Sequence, residues 1–178
     1  MQSPYIVHLF DYFTEGPYRY MVEEFVDGLA LDKLIKKQTI VDPLVALLIL
    51  QDACFALKFA HSKGIVHRDI KPANILISRR AEVKLADFGI ASDENDDPND
   101  KTQSGVTLGT PAYMPPEQSE KGQCGRYTDV FALGIMLFEM LTGTVPFTGS
   151  RPSEIRQKIK YEPTPLLQSF YPYINNNL

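Results

Sequence analysis

The amino-acid sequence predicts a single α+β domain that is mainly helical. Two β-rich segments near the N-terminus and two long apolar stretches with helical spacing support this prediction. The chain has 178 residues, 44% of them hydrophobic, and a chain of this size can bury one core. We therefore expect strands at the beginning of the chain and helices to dominate its second half.

The N-terminal segments predict a β-hairpin. Residues 6–13 and 19–25 are rich in β-branched and aromatic side chains, and residues 14–17 (TEGP) have the composition of a turn. The short apolar runs at 75–77 and 83–85 flank a polar turn, which predicts a second, smaller hairpin. Two short antiparallel ladders are therefore expected.

Two helices are predicted from capping residues and apolar spacing. Asp42 followed by Pro43 is a strong start signal, and the apolar positions keep to a helical face until Gly64 stops the pattern. This pattern predicts a long, mostly buried helix. Thr128 is predicted to cap a second helix over residues 129–141, which is apolar nearly all round and is therefore expected in the core.

Composition excludes several classes of partner. The formal net charge is -4 and the Lys and Arg residues are scattered, so neither a nucleic acid nor an anionic membrane is expected as a partner. The longest apolar run, residues 44–50, is too short to span a bilayer and no signal-peptide pattern is present, so no membrane segment is expected. Cys54 and Cys124 lack CxxC spacing, which favours thiols in a reducing compartment and a cytoplasmic location.

The stretch HRDIKPANIL, residues 67–76, concentrates polar side chains ahead of an apolar run. Mg²⁺ prefers hard oxygen ligands, which Asn74 and, further along the chain, Asp87 can supply. Asp69 is then available as a general base, and Lys71 supplies a point charge for a phosphoryl group. Taken singly, each residue also fits a structural role as a turn former, a cap or a solvated charge, so the interpretation rests on their joint spacing.

Four motifs in order resemble the C-lobe of protein kinases. They are HRDIKPAN at 67–74, DFG at 87–89, GTPAYMPPEQ at 109–118 and DVFALGIMLFEMLTG at 129–143. The DxKPxN form of the first motif, together with Thr110 in the third, is similar to serine/threonine kinases and unlike the tyrosine-specific pattern. The wording of the motifs most resembles bacterial kinases of the eukaryotic-like class, and the resemblance covers nearly the whole chain.

The resemblance implies a protein-kinase-like C-lobe with a remnant two-strand N-lobe hairpin. Residues 1–178 would form a partial kinase domain, with 1–26 as the N-lobe remnant and the start of the hinge and 27–178 as a C-lobe truncated after its G-helix region. The chain has no GxGxxG loop and, ahead of residue 3, no strand Lys or partner helix Glu. We therefore expect the isolated chain to be weakly active or inactive, because the parts that hold the nucleotide phosphates are missing.

The resemblance also implies roles for individual residues in catalysis. Asp69 resembles the base that accepts the proton of the substrate hydroxyl, and Lys71 resembles the residue that contacts the γ-phosphate of ATP. Asn74 and Asp87 resemble the ligands of Mg²⁺. Thr110 would orient the loop that carries the base.

At the nucleotide end, the backbones of Glu24 and Val26 fall where the family's hinge meets adenine, and Leu76 falls on the floor of that site. Glu23 takes the gatekeeper position, where the family usually places an apolar side chain or Thr. We expect Glu23 to reach water or to pair with an upstream Lys, in preference to a role in selecting the nucleotide.

The implied activity is the ATP- and Mg²⁺-dependent transfer of the γ-phosphate to Ser or Thr hydroxyls of proteins. Thr102, Ser104 and Thr107 are candidate phosphorylation sites, either for an activating kinase or for self-phosphorylation. The alternative is a kinase-like scaffold or binding module without chemistry. A small-molecule phosphotransferase of related fold is disfavoured, because the substrate platform at 109–118 is present.

Two departures from the family bear on stability. The first hairpin lacks sister strands, so its edges and one face would be exposed, which predicts poor solubility or self-association. Glu117 would lack the Arg partner that the family supplies later in the chain, so this region is expected to be destabilised unless Glu117 is hydrated.

Overall fold

The computed structural model of the protein describes residues 2–88 and 111–170. Within these ranges the chain forms five strands and five helices. This architecture confirms the mainly helical α+β prediction. In chain order the elements are β1 (Leu9–Glu15), β2 (Tyr18–Glu23), β3 (Gly28–Ala30), α1 (Leu31–Gln38), α2 (Pro43–Ser62), β4 (Ile75–Ser78), β5 (Val83–Leu85), α3 (Pro116–Lys121), α4 (Arg126–Thr142) and α5 (Pro152–Tyr161).

The first hairpin has a tighter turn than predicted. β1 and β2 pair antiparallel, and Thr14 and Glu15 belong to the ladder, opposite Arg19 and Tyr18. Only Gly16 and Pro17 are left to form the turn, and Gly16 has a φ of 59°, a conformation that glycine adopts without strain. The predicted four-residue turn is therefore too long by two residues, Thr14 and Glu15, which both belong to β1.

A three-stranded antiparallel sheet forms elsewhere, in the order β3-β4-β5. It contains the second predicted hairpin, which is confirmed, and adds β3, which the sequence did not indicate. In its register Leu76 lies between Ala30 and Lys84. Gly28 is required in β3, because a Cβ there would lie 1.9 Å from the carbonyl oxygen of Ile77.

α2 begins where the sequence predicts. The Asp42 carboxylate accepts hydrogen bonds from the backbone N–H groups of Leu44 at 2.9 Å and Val45 at 3.3 Å. These bonds satisfy donors of the first turn that have no partner within the helix. The helix ends at Ser62, just before Gly64, whose φ of 76° is incompatible with its continuation.

The prediction that α2 is mostly buried is wrong. Ala46, Ile49 and Ala53 face the core, whereas Leu44 and Leu48 are 73% and 62% exposed. A helix that is apolar on all sides gives no sequence contrast between its faces, so the pattern does not indicate which face is covered.

α2 also has the length and composition to cross a membrane. Its mean hydropathy is 1.7, and 33% of the apolar stretch is buried inside the protein. It packs against α4 and β5. Because core helices meet the same criterion, this observation does not establish a membrane segment.

α4 starts earlier than predicted, at Arg126, with Gly125 as its N-cap. The prediction that Thr128 caps this helix is wrong. Thr128 lies inside the first turn, where its hydroxyl accepts a hydrogen bond from the Gly125 N–H at 3.1 Å. The hydroxyl therefore performs a capping function from within the helix, which the sequence pattern alone does not distinguish from a cap position. Most of α4 is buried as expected, although Val130 is 62% exposed.

The hydrophobic core lies between α2, α4 and the three-stranded sheet. Met136 and Met140 of α4 have no exposed surface, and Leu31 at the start of α1 is equally buried. Ile70 and Ile75 belong to the same core. Ile70 lies within the HRDIKPANIL stretch and Ile75 lies near its end, so the stretch is anchored in the core at two points.

Candidate active site

The loop that precedes β4, residues 67–74, is fixed by a carboxylate from α4. Asp129 is 1% exposed and accepts hydrogen bonds from the backbone N–H groups of His67 at 3.0 Å and Arg68 at 2.9 Å. His61 Nε2 lies 2.7 Å from the same carboxylate. A buried carboxylate without donors would be strongly unfavourable, and these three contacts explain why α4 contains one.

Arg68 adopts a backbone conformation that is unusual for a residue with a side chain. Its φ is 70°, in the left-handed region that disfavours a Cβ. The conformation turns the chain so that Asp69 leaves the core. The Arg68 carbonyl accepts a hydrogen bond from Gln118 Nε2 at 2.8 Å, so the turn is held on its second side as well.

Two predicted site residues, Lys71 and Asn74, lie next to the carboxylate of a third, Asp69. Lys71 Nζ lies 2.6 Å from Asp69 Oδ2, and Asn74 Nδ2 lies 3.3 Å from the same oxygen. Asn74 Nδ2 also donates to the Asp69 carbonyl at 2.8 Å. The Asp69 side chain is 34% exposed, so a group from solvent can reach it.

His67 connects this loop to the DFG segment. Its Nε2 lies 2.9 Å from the carbonyl of Ala86, and its ring packs on Phe88 with centroids 4.7 Å apart. The Asp69 N–H lies 3.3 Å from His67 Nδ1, so the ring donates through Nε2 and accepts at Nδ1. Burial lowers the pKa of His67, which keeps the ring neutral in this arrangement.

Asp87 is brought to the same region by the backbone. The Ala86 N–H donates to the carbonyl of Asn74 at 2.9 Å, which places the next residue beside the loop. Asp87 is exposed and has a φ of 57°. Among the residues that the structure describes, no group of three His, Cys, Asp or Glu side chains could hold a metal ion.

The donor set of Asn74 and Asp87 fits Mg²⁺. Asn74 is buried and donates through its amide nitrogen, and within the described chain its Oδ1 makes no hydrogen bond. An amide oxygen and a carboxylate are hard oxygen ligands, and Mg²⁺ sites commonly combine one or two carboxylates with substrate phosphates. Such a site would therefore need phosphate oxygens or water to complete it.

Glu24 is held in place at the other end of the site. Its backbone N–H donates to the His8 carbonyl at 2.8 Å, and its carboxylate accepts from the His8 N–H at 3.2 Å. Lys84 Nζ lies 2.7 Å from Glu24 Oε1. The hydrogen bond from Lys84 holds the pKa of Glu24 below its ordinary value. Lys84 precedes Asp87 in the chain, so this ion pair connects the residue that follows β2 to the DFG segment.

Glu23 ends β2 and is exposed, which agrees with the interpretation that it reaches water. Residual burial raises its pKa, and the charge of Asp87 raises it further. The two carboxylates are therefore near enough to repel each other. Val26 and Leu76 are both half-buried.

A cavity of about 590 Å³ opens beside Lys71. On its wall the Tyr113 hydroxyl donates to the Glu139 carboxylate. Burial raises the pKa of Glu139. The residues that line this cavity include Asp32, Lys36, Lys71, Pro72, Tyr113 and Glu139.

Comparison with known proteins identifies the family. The family described as Protein kinase domain matches residues 1–174. This chain belongs to the protein kinase family. The serine/threonine-protein kinase PknB of Mycobacterium tuberculosis is 42% identical over 151 residues, which cover 84% of this chain and 24% of that protein. The serine/threonine-protein kinase PrkC of Bacillus subtilis is 37% identical over 174 residues, which cover 98% of this chain and 26% of that protein.

These findings confirm the resemblance to bacterial-type serine/threonine kinases and the kinase-like, mainly helical fold. The chain spans about a quarter of the length of the curated relatives it matches. Four of the residues that the resemblance singled out lie outside the described part of this kinase domain. They are Thr102, Ser104, Thr107 and Thr110.

Sequence reasoning missed several side chains that hold the kinase site together. Gln118 and Lys84 make their contacts with Arg68 and Glu24 from distant parts of the chain. The sequence did contain Gln118 at the end of the third motif, but nothing there indicated its partner. Glu117 is half-buried and forms no ion pair with any described residue.

Proposed function

We propose that this chain carries the catalytic residues for ATP- and Mg²⁺-dependent transfer of a γ-phosphate to Ser or Thr hydroxyls of proteins. The observation that carries the proposal is the cluster of Asp69, Lys71 and Asn74, with the Asp87 segment fixed beside it. Membership of the protein kinase family supports the same reaction class.

Asp69 serves as the base in this proposal. The substrate hydroxyl gives its proton to the Asp69 carboxylate while its oxygen forms a new bond to the γ-phosphorus. The bond between that phosphorus and the bridging oxygen breaks, and ADP leaves with the electron pair. Lys71, 2.6 Å from Asp69, supplies positive charge near the transferred group.

Asn74 and Asp87 would hold Mg²⁺ through their side-chain oxygens, and the ion would neutralise charge on the ATP phosphates. The backbones of Glu24 and Val26 would contact adenine above Leu76. Thr110 would orient the catalytic loop. In domain terms, residues 1–26 would be the N-lobe remnant with the start of the hinge, and 27–178 the C-lobe.

The chain by itself is expected to be a weak or inactive catalyst. No GxGxxG stretch occurs in the 178 residues. A positioned base contributes about 3 to 5.5 kcal/mol to lowering a barrier, whereas positioning of reactants contributes roughly 7 to 11 kcal/mol. The larger contribution depends on holding the phosphates in line, which Asp69 and its neighbours do not do.

Isothermal titration of the chain with Mg²⁺ and ATP tests the nucleotide site. We expect weak binding that disappears in Asp87→Ala and survives in Asp69→Asn, because the base is not a ligand of the nucleotide. Absence of binding at millimolar nucleotide would contradict the proposal for this chain and favour the scaffold alternative.

Phosphorylation of a generic protein substrate with radiolabelled ATP tests the chemistry. Slow incorporation into Ser or Thr that Asp69→Asn abolishes would support the role of the base. Rapid steady turnover by the chain would contradict its expected weakness, and incorporation that persists in Asp69→Asn would contradict the role of the base. Mapping the label also tests Thr102, Ser104 and Thr107 as sites of self-phosphorylation.

We further propose a cytoplasmic location for this catalytic domain. Cys54 and Cys124 are not joined in a disulfide, which fits a reducing compartment. Alkylation of both thiols in intact cells by a membrane-permeant reagent, but not by an impermeant one, would support this location.

A further inference from the structure

The third sequence motif ends in a side chain that contacts the catalytic loop. Gln118, on α3, donates a hydrogen bond from Nε2 to the carbonyl oxygen of Arg68 at 2.8 Å. Both residues are half-buried, so water competes for this bond only in part. The two residues are separated by 50 positions in sequence.

The bond acts on a backbone that is under strain. Arg68 has a φ of 70°, and a residue with a Cβ holds this conformation only where its surroundings determine it. Its N–H is held by Asp129 of α4 at 2.9 Å and its carbonyl by Gln118 of α3. Two separate helices therefore fix the two peptide groups of one residue.

The peptide group that Gln118 holds is the one that leads into Asp69. The N–H on the other side of this peptide lies 3.3 Å from His67 Nδ1, a longer contact than the 2.8 Å bond of its carbonyl to Gln118. Gln118 thus makes the shorter of the two bonds that fix the plane of the Arg68–Asp69 peptide. That plane determines the direction in which the Asp69 carboxylate leaves the backbone.

We propose that Gln118 is a positioning residue that orients the Asp69 carboxylate through the Arg68–Asp69 peptide. It thereby couples the segment at residues 111–118 to the catalytic loop, so that a shift of α3 is transmitted to Asp69. The catalytic meaning of this coupling rests on the proposed function, in which Asp69 is the base. The coupling itself is a property of the fold and can be measured without turnover.

The test is Gln118→Met, which keeps the length of the side chain and removes the donor. Backbone amide exchange and carbonyl ¹³C shifts are measured by NMR on the labelled 178-residue chain. We expect the Arg68 carbonyl signal to move upfield, and the Arg68 and Asp69 amides to exchange about 3- to 10-fold faster, as the loss of one hydrogen bond allows. Amides in α2 and α4 should keep their exchange rates.

Gln157→Met is the matched control, because Gln157 is an exposed glutamine on α5 and undergoes the same chemical change. It should leave the Arg68 and Asp69 signals unchanged. If Gln118→Met does not fold, Gln118→Glu replaces it. Its carboxylate has the same shape as the amide and cannot donate when ionised, so at neutral pH the same local changes are expected.

Three results would overturn the proposal. They are unchanged Arg68 and Asp69 signals in a folded Gln118 variant, changes confined to α3, and an equal loss of protection throughout the chain. Where phosphorylation is measurable, kcat should fall while KM for ATP stays the same, since Gln118 contacts no predicted nucleotide-binding residue. Local NMR changes in a chain that shows no binding of Mg²⁺ and ATP at millimolar nucleotide would contradict the proposed function and leave the coupling supported.

Discussion

The hairpin of β1 and β2 and the helical region around α4 are stabilised in different ways. Every residue of β1 and β2 is exposed, whereas nine of the 17 residues of α4 are buried. The hairpin is held by its own ladder and by cross-strand pairs such as Phe13 and Tyr20, whose rings stack 5.2 Å apart. A two-stranded sheet of this kind is marginal without a surface to cover one face.

This difference in burial indicates which elements make the site rigid. The loop at residues 67–74 is fixed from the well-packed side, through Asp129 of α4 and the core residues Ile70 and Ile75. Glu24 lies at the junction between the hairpin and the rest of the domain. It directly follows β2 and forms an ion pair with Lys84 of β5. The end of the site with the proposed base and metal ligands should therefore persist when the hairpin opens, and the proposed adenine end should depend on the junction.

The largest effect is expected from Asp129→Ala. It leaves the N–H groups of His67 and Arg68 buried without their acceptor, and we expect the free energy of unfolding to fall by about 3 to 5 kcal/mol. The measurement is urea unfolding followed by circular dichroism. Asp11→Ala in β1 is the control, and a change within about 0.5 kcal/mol is expected there because the residue is exposed. Equal losses would refute the distinction between the two regions.

A pair of apolar truncations compares the regions directly. Met136→Ala removes a side chain with no exposed surface, and we expect a loss of about 2 to 5 kcal/mol of unfolding free energy. Phe13→Ala removes a ring that is 43% exposed and stacked on its cross-strand neighbour, and about 1 kcal/mol or less is expected. A loss at Phe13 as large as that at Met136 would show that the hairpin belongs to the same cooperative unit.

The parts of the site that the residue pattern alone predicted, without the family resemblance, are those whose partners lie close together in the chain. Asp69, Lys71 and Asn74 fall within one short loop, and the Asp42–Pro43 start of α2 is equally local. Contacts such as that of Gln118 with Arg68 join residues 50 positions apart, and no local pattern indicates which distant side chain supplies a donor.

The burial of α2 could not be predicted for a related reason. The helix has apolar residues on all sides, so its sequence pattern is the same whichever face the rest of the fold covers. The pattern therefore does not indicate that Leu44 and Leu48 are exposed. Strand β3 was missed because three residues are too few to show a period. In both cases the outcome depends on which elements pack together in the folded chain, and a local sequence pattern does not contain that information.

The junction can be tested through the pH dependence of stability. The pKa of Glu24 is held below its ordinary value of 4.5 by Lys84, so the stabilisation is fully present above that value and is lost as pH falls through the lowered pKa. Lys84→Met should therefore lower the unfolding free energy by about 1 kcal/mol at neutral pH and flatten its decline in acid.

Urea unfolding between neutral pH and about pH 3 measures this effect. Arg79→Met is the control, because Arg79 pairs with Asp27 at 3.0 Å while both side chains are mostly exposed. We expect little change there. An unchanged decline of stability in acid for Lys84→Met would mean that the ion pair of Glu24 with Lys84 does not stabilise the junction.

The smallest change in stability is expected from Phe10→Lys, a substitution whose main effect should be on self-association. Phe10 is 64% exposed on β1, and Phe10→Lys should change the unfolding free energy by no more than about 0.5 kcal/mol. Within the described chain β1 and β2 pair along their length only with each other, so their outer edges present unpaired backbone groups beside exposed aromatic rings. We expect the chain to self-associate through the hairpin and Phe10→Lys to reduce it, as sedimentation velocity over a range of concentrations would show.

Leu48→Lys provides the matched comparison, because Leu48 is 62% exposed on α2. A helix has no unpaired backbone along its length, so its apolar face can associate only through side chains, whereas the hairpin offers both side chains and hydrogen-bonding edges. The hairpin substitution should therefore reduce association more than the helix substitution does. The reverse order would mean that the exposed apolar face of α2 associates more strongly than the hairpin does. Apolar exposure, and not unpaired strand backbone, would then govern self-association.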